Sequence, residues 1–203
     1  MRFSAVVLAG GRSRRMGRDK AGLPVEGHLS ALHRQLALLA SLRPRELFVS
    51  CRPEQRLPAV PRTIDGRPPH RIHDSGTNGP LAGIAAALAA CRTDFLLVLG
   101  VDLVRMTPHV LRRIVGAADA TRCIGAAPRV DGEIEPLASV LPVTLATDAA
   151  ARLVAGERGL RAFLAAAAEA AHVRWWDVPA YDAHAFANWN ERADRVPPLR
   201  ASG

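Results

Sequence analysis

Apolar runs and amphipathic segments alternate along the chain. Residues 5–9 and 95–101 are almost wholly apolar, which is typical of strands buried on both faces of a sheet, and residues 46–50 form a second short strand pattern. Helices are predicted where apolar side chains recur at helical spacing, over residues 29–42, after Gly79-Pro80 and after Thr107-Pro108. Strands that alternate with helices in this way predict an α/β fold.

The same alternation continues through the second half of the chain. Two strands are predicted over residues 123–127 and 137–141, with an Asp131-Gly132 turn between them. Alanine-rich helices are expected at about 143–155 and 159–171, the first of them ended by Gly156, and a last strand at 173–178. Residues 52–72 contain five prolines and predict a surface loop with one short strand near Ile72. Because the pattern simply resumes after this loop, we expect one domain over residues 1–203 rather than two joined by a linker.

The amino-acid composition limits the kinds of partner that we expect this protein to bind. The net charge is +8, but the arginines are spread along the whole chain and aromatic residues make up only 4%, so platforms for stacking nucleic-acid bases are scarce. We therefore expect no nucleic-acid partner and attribute part of the charge to an anionic ligand. The three cysteines lack metal-ligand spacing, which indicates reduced thiols in a cytoplasmic protein. Since no apolar run approaches membrane-spanning length, we expect no membrane association.

The loop after the first predicted strand has the composition of a phosphate site. Gly10-Gly11 allows close approach of the backbone to a ligand, and four arginines and Lys20 follow within nine residues. The pattern is neither a P-loop, because Gly17 is followed by Arg18-Asp19, nor a dinucleotide fingerprint. Lys20 is the only lysine of the chain, which indicates a chemical need for a compact ammonium at this place.

Asp102 follows the most strand-like run of the chain. In open α/β sheets ligands bind outside the carboxyl ends of the strands, and the phosphate loop is expected on the same edge. An aspartate here also suits a turn before the helix that begins after Thr107. The nearby phosphate loop favours a functional carboxylate over a turn residue.

Residues 8–20 closely resemble the signature of molybdenum cofactor guanylyltransferases, a branch of the nucleotidyltransferase superfamily. Three further segments are similar to motifs of that family: residues 79–83, the run Glu135-Pro136-Leu137, and the pair Asn188 and Asn190 near the carboxyl end. The resemblance runs from about Phe3 to Asp194. It implies a Rossmann-like three-layer α/β/α sandwich with a mostly parallel sheet, of the nucleotide-diphospho-sugar transferase type.

The resemblance also implies an activity, the transfer of GMP from GTP to the terminal phosphate of molybdenum-bearing molybdopterin with release of pyrophosphate. It implies Mg²⁺ held by Asp102 and transient contacts with molybdenum-cofactor biosynthesis proteins and molybdoenzymes. The resemblance implies catalytic roles for four residues: Arg15, Lys20, Asp102 and Asn190. GTP would be bound by Leu8, Ala9, Gly10, Gly11, Lys20, Asp74 and Gly79, and the acceptor side would be built by Asn188, Asn190 and Glu135.

Two departures from the family pattern affect these expectations. Leu103-Val104 follows Asp102 where the family usually has a residue and then proline, which predicts a less rigid turn. Many members carry asparagine after the second strand, where this chain has Ser50-Cys51-Arg52. Alternatives therefore remain: a related nucleotidyltransferase that uses CTP or another phosphorylated acceptor, or a nucleotide-binding protein of the same fold without catalysis.

Overall fold

The strand-like apolar runs at residues 5–9 and 95–101 form adjacent central strands of one sheet. The computed structural model describes residues 1–10, 20–25, 30–60, 66, 68–73, 79–187 and 189. Its strands are β1 (Phe3–Leu8), β2 (Leu47–Cys51), β3 (His70–His73), β4 (Phe95–Gly100), β5 (Gly125–Val130), β6 (Glu133–Ile134), β7 (Val140–Pro142) and β8 (Val173–Asp177). Its α-helices are α1 (Ala31–Ala40), α2 (Pro80–Ala90), α3 (Pro108–Ala117), α4 (Ala146–Val154) and α5 (Leu160–Glu169), with short 3₁₀ segments at Lys20–Gly22, Val143–Leu145 and Ala180–Phe186.

The strands form one mostly parallel sheet in the order β3-β2-β1-β4-β7-β5-β6, with β8 also paired to β5. The first four strands in this order are mutually parallel. Strand β7 is antiparallel to both of its neighbours, and β5 runs parallel to β8. The register joins Leu8 of β1 to Ser50 of β2 and to Gly100 of β4, so the carboxyl ends of these three strands meet at one edge.

Side chains of the central strands alternate between two core layers. In β1, Ala5 and Val7 belong to one buried cluster, whereas Val6 and Leu8 belong to the other. Helices α1 and α3 pack on the first cluster, and α2, α4 and α5 pack on the second. The result is the expected sandwich of helices on both faces of a sheet, and it explains why the central strands are apolar on both faces.

Local signals start and end the helices as expected. Ser30 Oγ accepts a hydrogen bond from the His33 amide at 3.2 Å, and Thr107 Oγ1 accepts one from the Val110 amide at 3.2 Å. Helix α4 ends shortly before Gly156, which has a φ of 80°. None of the helices in the described part of the chain is long and apolar enough to cross a membrane.

The region around β5 to β7 differs from the predicted two strands. The turn at Asp131-Gly132, where both residues have positive φ, joins β5 to the short strand β6 rather than to a strand at 137–141. Leu137 lies outside the strands, and β7 begins only at Val140. The predicted strand at 123–127 is likewise shifted, since β5 covers Gly125–Val130. The prediction of a strand over 137–141 was wrong for its first residues. Leu137 lies beside the turn that carries Asp102, as described below.

Candidate active site

The carboxyl end of β1 is fixed by hydrogen bonds to the chain at both neighbouring strands. The Val101 amide donates to the Leu8 carbonyl at 3.2 Å, and the Ala9 amide donates to the Ser50 carbonyl at 2.8 Å. The Ala9 amide is thus engaged within the protein, and its carbonyl oxygen is the backbone group left for a ligand through a second lone pair. The predicted roles of Leu8, Ala9 and Gly10 in nucleotide binding stay predictions, now with their backbone positions defined.

The buried side chain of Gln55, which the sequence pattern did not indicate, also binds the carboxyl end of β1. Gln55 Nε2 donates to the Ala9 carbonyl at 2.8 Å, and Gln55 Oε1 accepts from the Arg52 amide at 3.1 Å. The Gln55 side chain is 9% exposed although the residue lies in the proline-rich loop after β2. This loop is therefore tied to the start of the glycine loop, across 46 residues of sequence.

Asp102 lies just past the end of β4, over a glycine. A Cβ atom added at Gly100 would lie 2.8 Å from Asp102 Oδ1 and 3.0 Å from Leu137 Cβ. The Gly100 amide also donates to the Leu137 carbonyl at 2.7 Å, which fixes the segment after Glu135 beside the turn. The carboxylate of Asp102 thus occupies space that exists only because residue 100 has no side chain.

The turn that carries Asp102 is held by another buried glutamine instead of proline. Gln35 Nε2, from α1, donates to the carbonyls of Gly100 at 3.2 Å and Leu103 at 2.8 Å. Leu103 is also 1% exposed and packs in the first core cluster. The expectation of a less rigid turn therefore does not hold, because tertiary contacts constrain this turn where proline would constrain it locally.

Trp189 joins the carboxyl-terminal motif to the two charged residues of the site. Its carbonyl accepts a hydrogen bond from Lys20 Nζ at 3.3 Å, and its amide donates to the Asp102 carbonyl at 3.1 Å. The Trp189 side chain is 8% exposed and packs in the first core cluster. One buried residue, which the sequence analysis passed over in favour of the asparagines on either side of it, therefore brings Lys20 and Asp102 together.

Glu135 contributes a second carboxylate to this edge. Burial raises the pKa of Glu135, the positive charge of Arg161 opposes the rise, and the negative charges of Asp102 and Glu133 add to it. Glu135 is therefore near enough to Asp102 for their charges to interact, and its role on the acceptor side stays a prediction. Two neighbouring carboxylates favour the binding of a cation between or beside them.

The start of α2 approaches the site from the other layer. Gly79 has a φ of 137°, a conformation that L side chains rarely adopt, and Pro80 follows at the first helical position. A Cβ added at Gly83 would collide with Ser50 Oγ and lie 3.2 Å from Leu8 Cδ2. The absence of a side chain at Gly83 therefore allows α2 to pack closely on β1 and β2.

Several predicted site residues lie outside the described residues: Gly11, Arg15, Asp74, Asn188 and Asn190. Of the remaining ones, the structure brings together Leu8, Ala9, Gly10, Lys20 and Asp102 at one edge of the sheet. Within the described ranges, no three His, Cys, Asp or Glu side chains are grouped so that they could hold a metal ion.

The chain, with this sheet order and with Lys20 and Asp102 joined through Trp189 beside the carboxyl ends of β1 and β4, has the α/β fold of solved nucleotidyl transferase structures. Solved structures share this fold: a nucleotidyl transferase from Methanothermobacter superposes with a TM-score of 0.72 at 20% identity, covering 95% of this chain and 94% of that one. Molybdopterin-guanine dinucleotide biosynthesis protein A from Archaeoglobus fulgidus superposes with a TM-score of 0.69 at 22% identity, covering 92% of both chains.

Sequence comparison identifies the particular family. The family model of the MobA-like NTP transferase domain matches residues 5–173. A probable molybdenum cofactor guanylyltransferase from Opitutus terrae is 34% identical over 197 residues, 95% of this chain and 93% of the relative. A molybdenum cofactor guanylyltransferase from Pseudomonas aeruginosa is 37% identical over 154 residues, 71% of each chain. The chain belongs to the MobA-like NTP transferase family, whose members are nucleotidyltransferases.

Proposed function

We propose that this protein transfers the GMP group of GTP to the terminal phosphate of molybdopterin and releases pyrophosphate. The observation that carries the proposal is the convergence of Lys20 and Asp102 on the backbone of Trp189, beside the carboxyl end of β1. Relatives also support the proposal, because proteins named as molybdenum cofactor guanylyltransferases match most of the chain.

The arrangement suits phosphoryl chemistry without a nucleophilic side chain. An oxygen of the acceptor phosphate forms a bond to the α-phosphorus of GTP, and the bond from that phosphorus to the bridging oxygen of pyrophosphate breaks. Lys20 can donate three hydrogen bonds, of which one goes to the Trp189 carbonyl, so two remain for phosphate oxygens. Lys20 would thereby hold the triphosphate and neutralise charge during the transfer.

The donor chemistry at Asp102 fits Mg²⁺. A carboxylate oxygen is the hard ligand that Mg²⁺ prefers, and a magnesium site commonly takes one or two carboxylates with phosphate and water oxygens filling the other positions. Asp102 is partly exposed, and its negative charge adds to the rise that burial produces in the pKa of Glu135, so the two carboxylates are near enough to interact. Asp102 would hold the ion, which when bound supplies neutralisation of the phosphate oxygens.

The remaining contacts are assigned by the family resemblance. Backbone groups of Leu8, Ala9, Gly10 and Gly11 would contact GTP, and Asp74 and Gly79 would flank its base and ribose. Arg15 and Asn190 would assist the transfer. Asn188 and Glu135 would line the acceptor side together with Asn190. In the cell, the acceptor and product would pass between this protein and other molybdenum-cofactor proteins of the cytoplasm.

The experiment that tests the proposal is a transfer assay with four nucleotides. The purified protein is incubated with molybdopterin, Mg²⁺ and GTP, CTP, ATP or UTP, and both pyrophosphate and the dinucleotide product are measured. GTP should give the fastest release and a guanine dinucleotide, and omission of molybdopterin should stop it. Faster turnover with CTP would favour the cytidylyl alternative, and nucleotide binding without any transfer would favour a non-catalytic role.

A further inference from the structure

Two consecutive β-turns carry the chain from the end of β4 past Asp102 toward α3. The Leu103 amide donates to the Gly100 carbonyl at 3.3 Å, and the Met106 amide donates to the Leu103 carbonyl at 3.0 Å. Asp102 is the third residue of the first turn, so the two turns decide where its carboxylate lies. Because residues 100–106 contain no proline, the position of this carboxylate depends on what else holds these turns.

Two adjacent residues of α1 bind the turns through three carbonyl oxygens. Gln35 Nε2 donates to the carbonyls of Gly100 and Leu103, which are the acceptors that close the two turns. Arg34 Nη2 donates to the Met106 carbonyl at 2.9 Å, and Arg34 Nη1 donates to Gln35 Oε1 at 3.2 Å. Since a guanidinium can only donate, Arg34 holds the Oε1 atom on its own side and directs the Nε2 group to the carbonyls. The two side chains together tie α1 to both turns.

The amino end of α1 is bonded to the segment that carries Lys20. The Ala31 amide, in the first turn of the helix, donates to the Leu23 carbonyl at 2.8 Å, and the Leu23 amide donates to the Lys20 carbonyl at 3.2 Å. The two residues that bind the turns lie one helical turn further along, about 5 Å on the axis. A short stretch of one helix therefore joins the backbone of Lys20 to the turns that carry Asp102.

We propose that Arg34 and Gln35 are positioning residues for the transfer, which hold the Asp102 carboxylate at a fixed distance from Lys20. This inference rests on the proposed function, since it takes Lys20 and Asp102 as partners of the phosphates and the ion. The carbonyls that close the turns each accept a backbone hydrogen bond within their own turn, so they keep a partner without Gln35. Loss of the Gln35 amide should therefore move the carboxylate more than it unfolds the chain.

The test removes this connection and then replaces it by a local constraint. Gln35→Met keeps the length of the side chain but cannot donate. Val104 is the second residue of the turn closed by Met106, a position that favours proline, and its amide makes no hydrogen bond within the described part of the chain. Val104→Pro should therefore stiffen that turn without help from α1. Leu39→Val is the matched control, because it disturbs buried packing of the same helix without removing a donor. Arg34→Met is an independent variant that leaves the Gln35 amide in place.

Each folded variant is compared with the wild-type protein by three measurements. These are kcat and KM for GTP in the transfer assay, the factor by which Mg²⁺ tightens binding of a non-hydrolysable GTP analogue, and hydrogen exchange of the Leu103 and Met106 amides without nucleotide. In Gln35→Met, kcat should fall about tenfold to hundredfold while KM for GTP stays within about twofold. The Mg²⁺ factor should fall as well, and the two amides should exchange faster.

The other variants separate positioning from general stability. Arg34→Met should change the same quantities in the same direction but less, because Gln35 still binds both turns. The double variant Gln35→Met with Val104→Pro should regain protection of the Met106 amide together with part of the lost kcat. Leu39→Val should lower Tm by a similar amount and keep the wild-type kcat, Mg²⁺ factor and exchange of the turn amides.

Faster exchange in Gln35→Met with kcat and the Mg²⁺ factor unchanged would overturn the inference, because the turns would have loosened without effect on the site. Unchanged exchange in that variant would overturn it too, as would an equal loss of kcat in Leu39→Val. If Gln35→Met does not fold, Arg34→Met is judged by the same criteria. The proposed function fails separately, if the wild-type protein transfers no GMP. Amide exchange and Mg²⁺-dependent binding of the analogue then still decide whether these residues position Asp102.

Discussion

Replacing Gly100 by alanine tests whether the position of the Asp102 carboxylate is what the site requires. The added Cβ would lie 2.8 Å from Asp102 Oδ1 and 3.0 Å from Leu137 Cβ, and both contacts are closer than van der Waals packing allows. The carboxylate can rotate away, whereas Leu137 is held by the hydrogen bond of its carbonyl to the Gly100 amide. The substitution should therefore displace Asp102 more than it disturbs the sheet.

The expected magnitudes follow from these contacts. Overpacking by one methyl group costs about 1–3 kcal/mol. For a chain of this size that corresponds to a decrease in Tm of roughly 2–12 °C. A displacement of about 1 Å at a catalytic group can reduce the rate on the order of 100-fold. We expect the loss of activity to be much larger than the loss of stability, and partly restored by raised Mg²⁺.

The assay is pyrophosphate release from GTP with acceptor, measured at several Mg²⁺ concentrations beside a thermal melt. Gly116→Ala is the control, because a Cβ at this exposed position of α3 would meet no atom within 4 Å. That variant should gain up to about 1 kcal/mol of stability from helix propensity and retain full activity. Wild-type activity and Mg²⁺ dependence in folded Gly100→Ala would refute the reasoning.

Three other substitutions probe the same edge. Asp102→Asn should abolish Mg²⁺-dependent transfer while shifting stability by no more than about 0.5 kcal/mol, and activity that survives in the assay would make Asp102 a turn residue. Lys20→Ala should fold normally and lose about 10²–10³-fold in rate, whereas near-wild-type turnover would remove Lys20 from the site. Glu135→Gln should be more stable than the wild-type protein at neutral pH. Because burial raises the pKa of Glu135, the folded state loses stability as pH rises above the ordinary value of 4.5, so the gain in Tm should vanish at pH 3. A gain in Tm that is independent of pH would contradict this.

The parts of the fold that the sequence predicts well are those governed by local pattern. Strands β1 and β4 are buried on both faces, so their apolar runs have no competing interpretation. The predicted helix starts at Gly79-Pro80 and Thr107-Pro108 are confirmed because proline and capping residues act within one turn. Strand β7 was predicted with shifted bounds, at 137–141, and its place between β4 and β5 is decided by tertiary pairing. Strand β6 escaped prediction because its two residues carry too little pattern.

The residues of the candidate site also divide into those that the local sequence indicates and those that only tertiary contacts reveal. Lys20 and Asp102 could be selected from the sequence as candidates, because a lone lysine after a glycine pair and an acid after a buried strand are unusual against this composition, and their roles stay predictions. Gln35 and Gln55 could not, since their hydrogen bonds join positions 65, 68 and 46 residues apart. A buried glutamine that binds backbone carbonyls has no signature in sequence spacing. Such residues become visible only when the two segments they join are seen together.

The carboxyl-terminal segment completes the site through packing rather than through its polar motif alone. Arg113 of α3 forms a 2.7 Å ion pair with Asp182, whose side chain is 7% exposed, and the Arg113 guanidinium lies over the Trp176 ring at 5.3 Å. These contacts fix the 3₁₀ segment Ala180–Phe186 against α3 and β8, and the chain then reaches Trp189 in the first core cluster. Because the backbone of Trp189 bonds both Lys20 and Asp102, docking of this segment connects Lys20 to the turn that carries Asp102. The asparagines of the family motif thus flank, in sequence, the residue that aligns the two charged groups. This connection gives a physical reason for the family motif to lie so far along the chain from Gly10-Gly11.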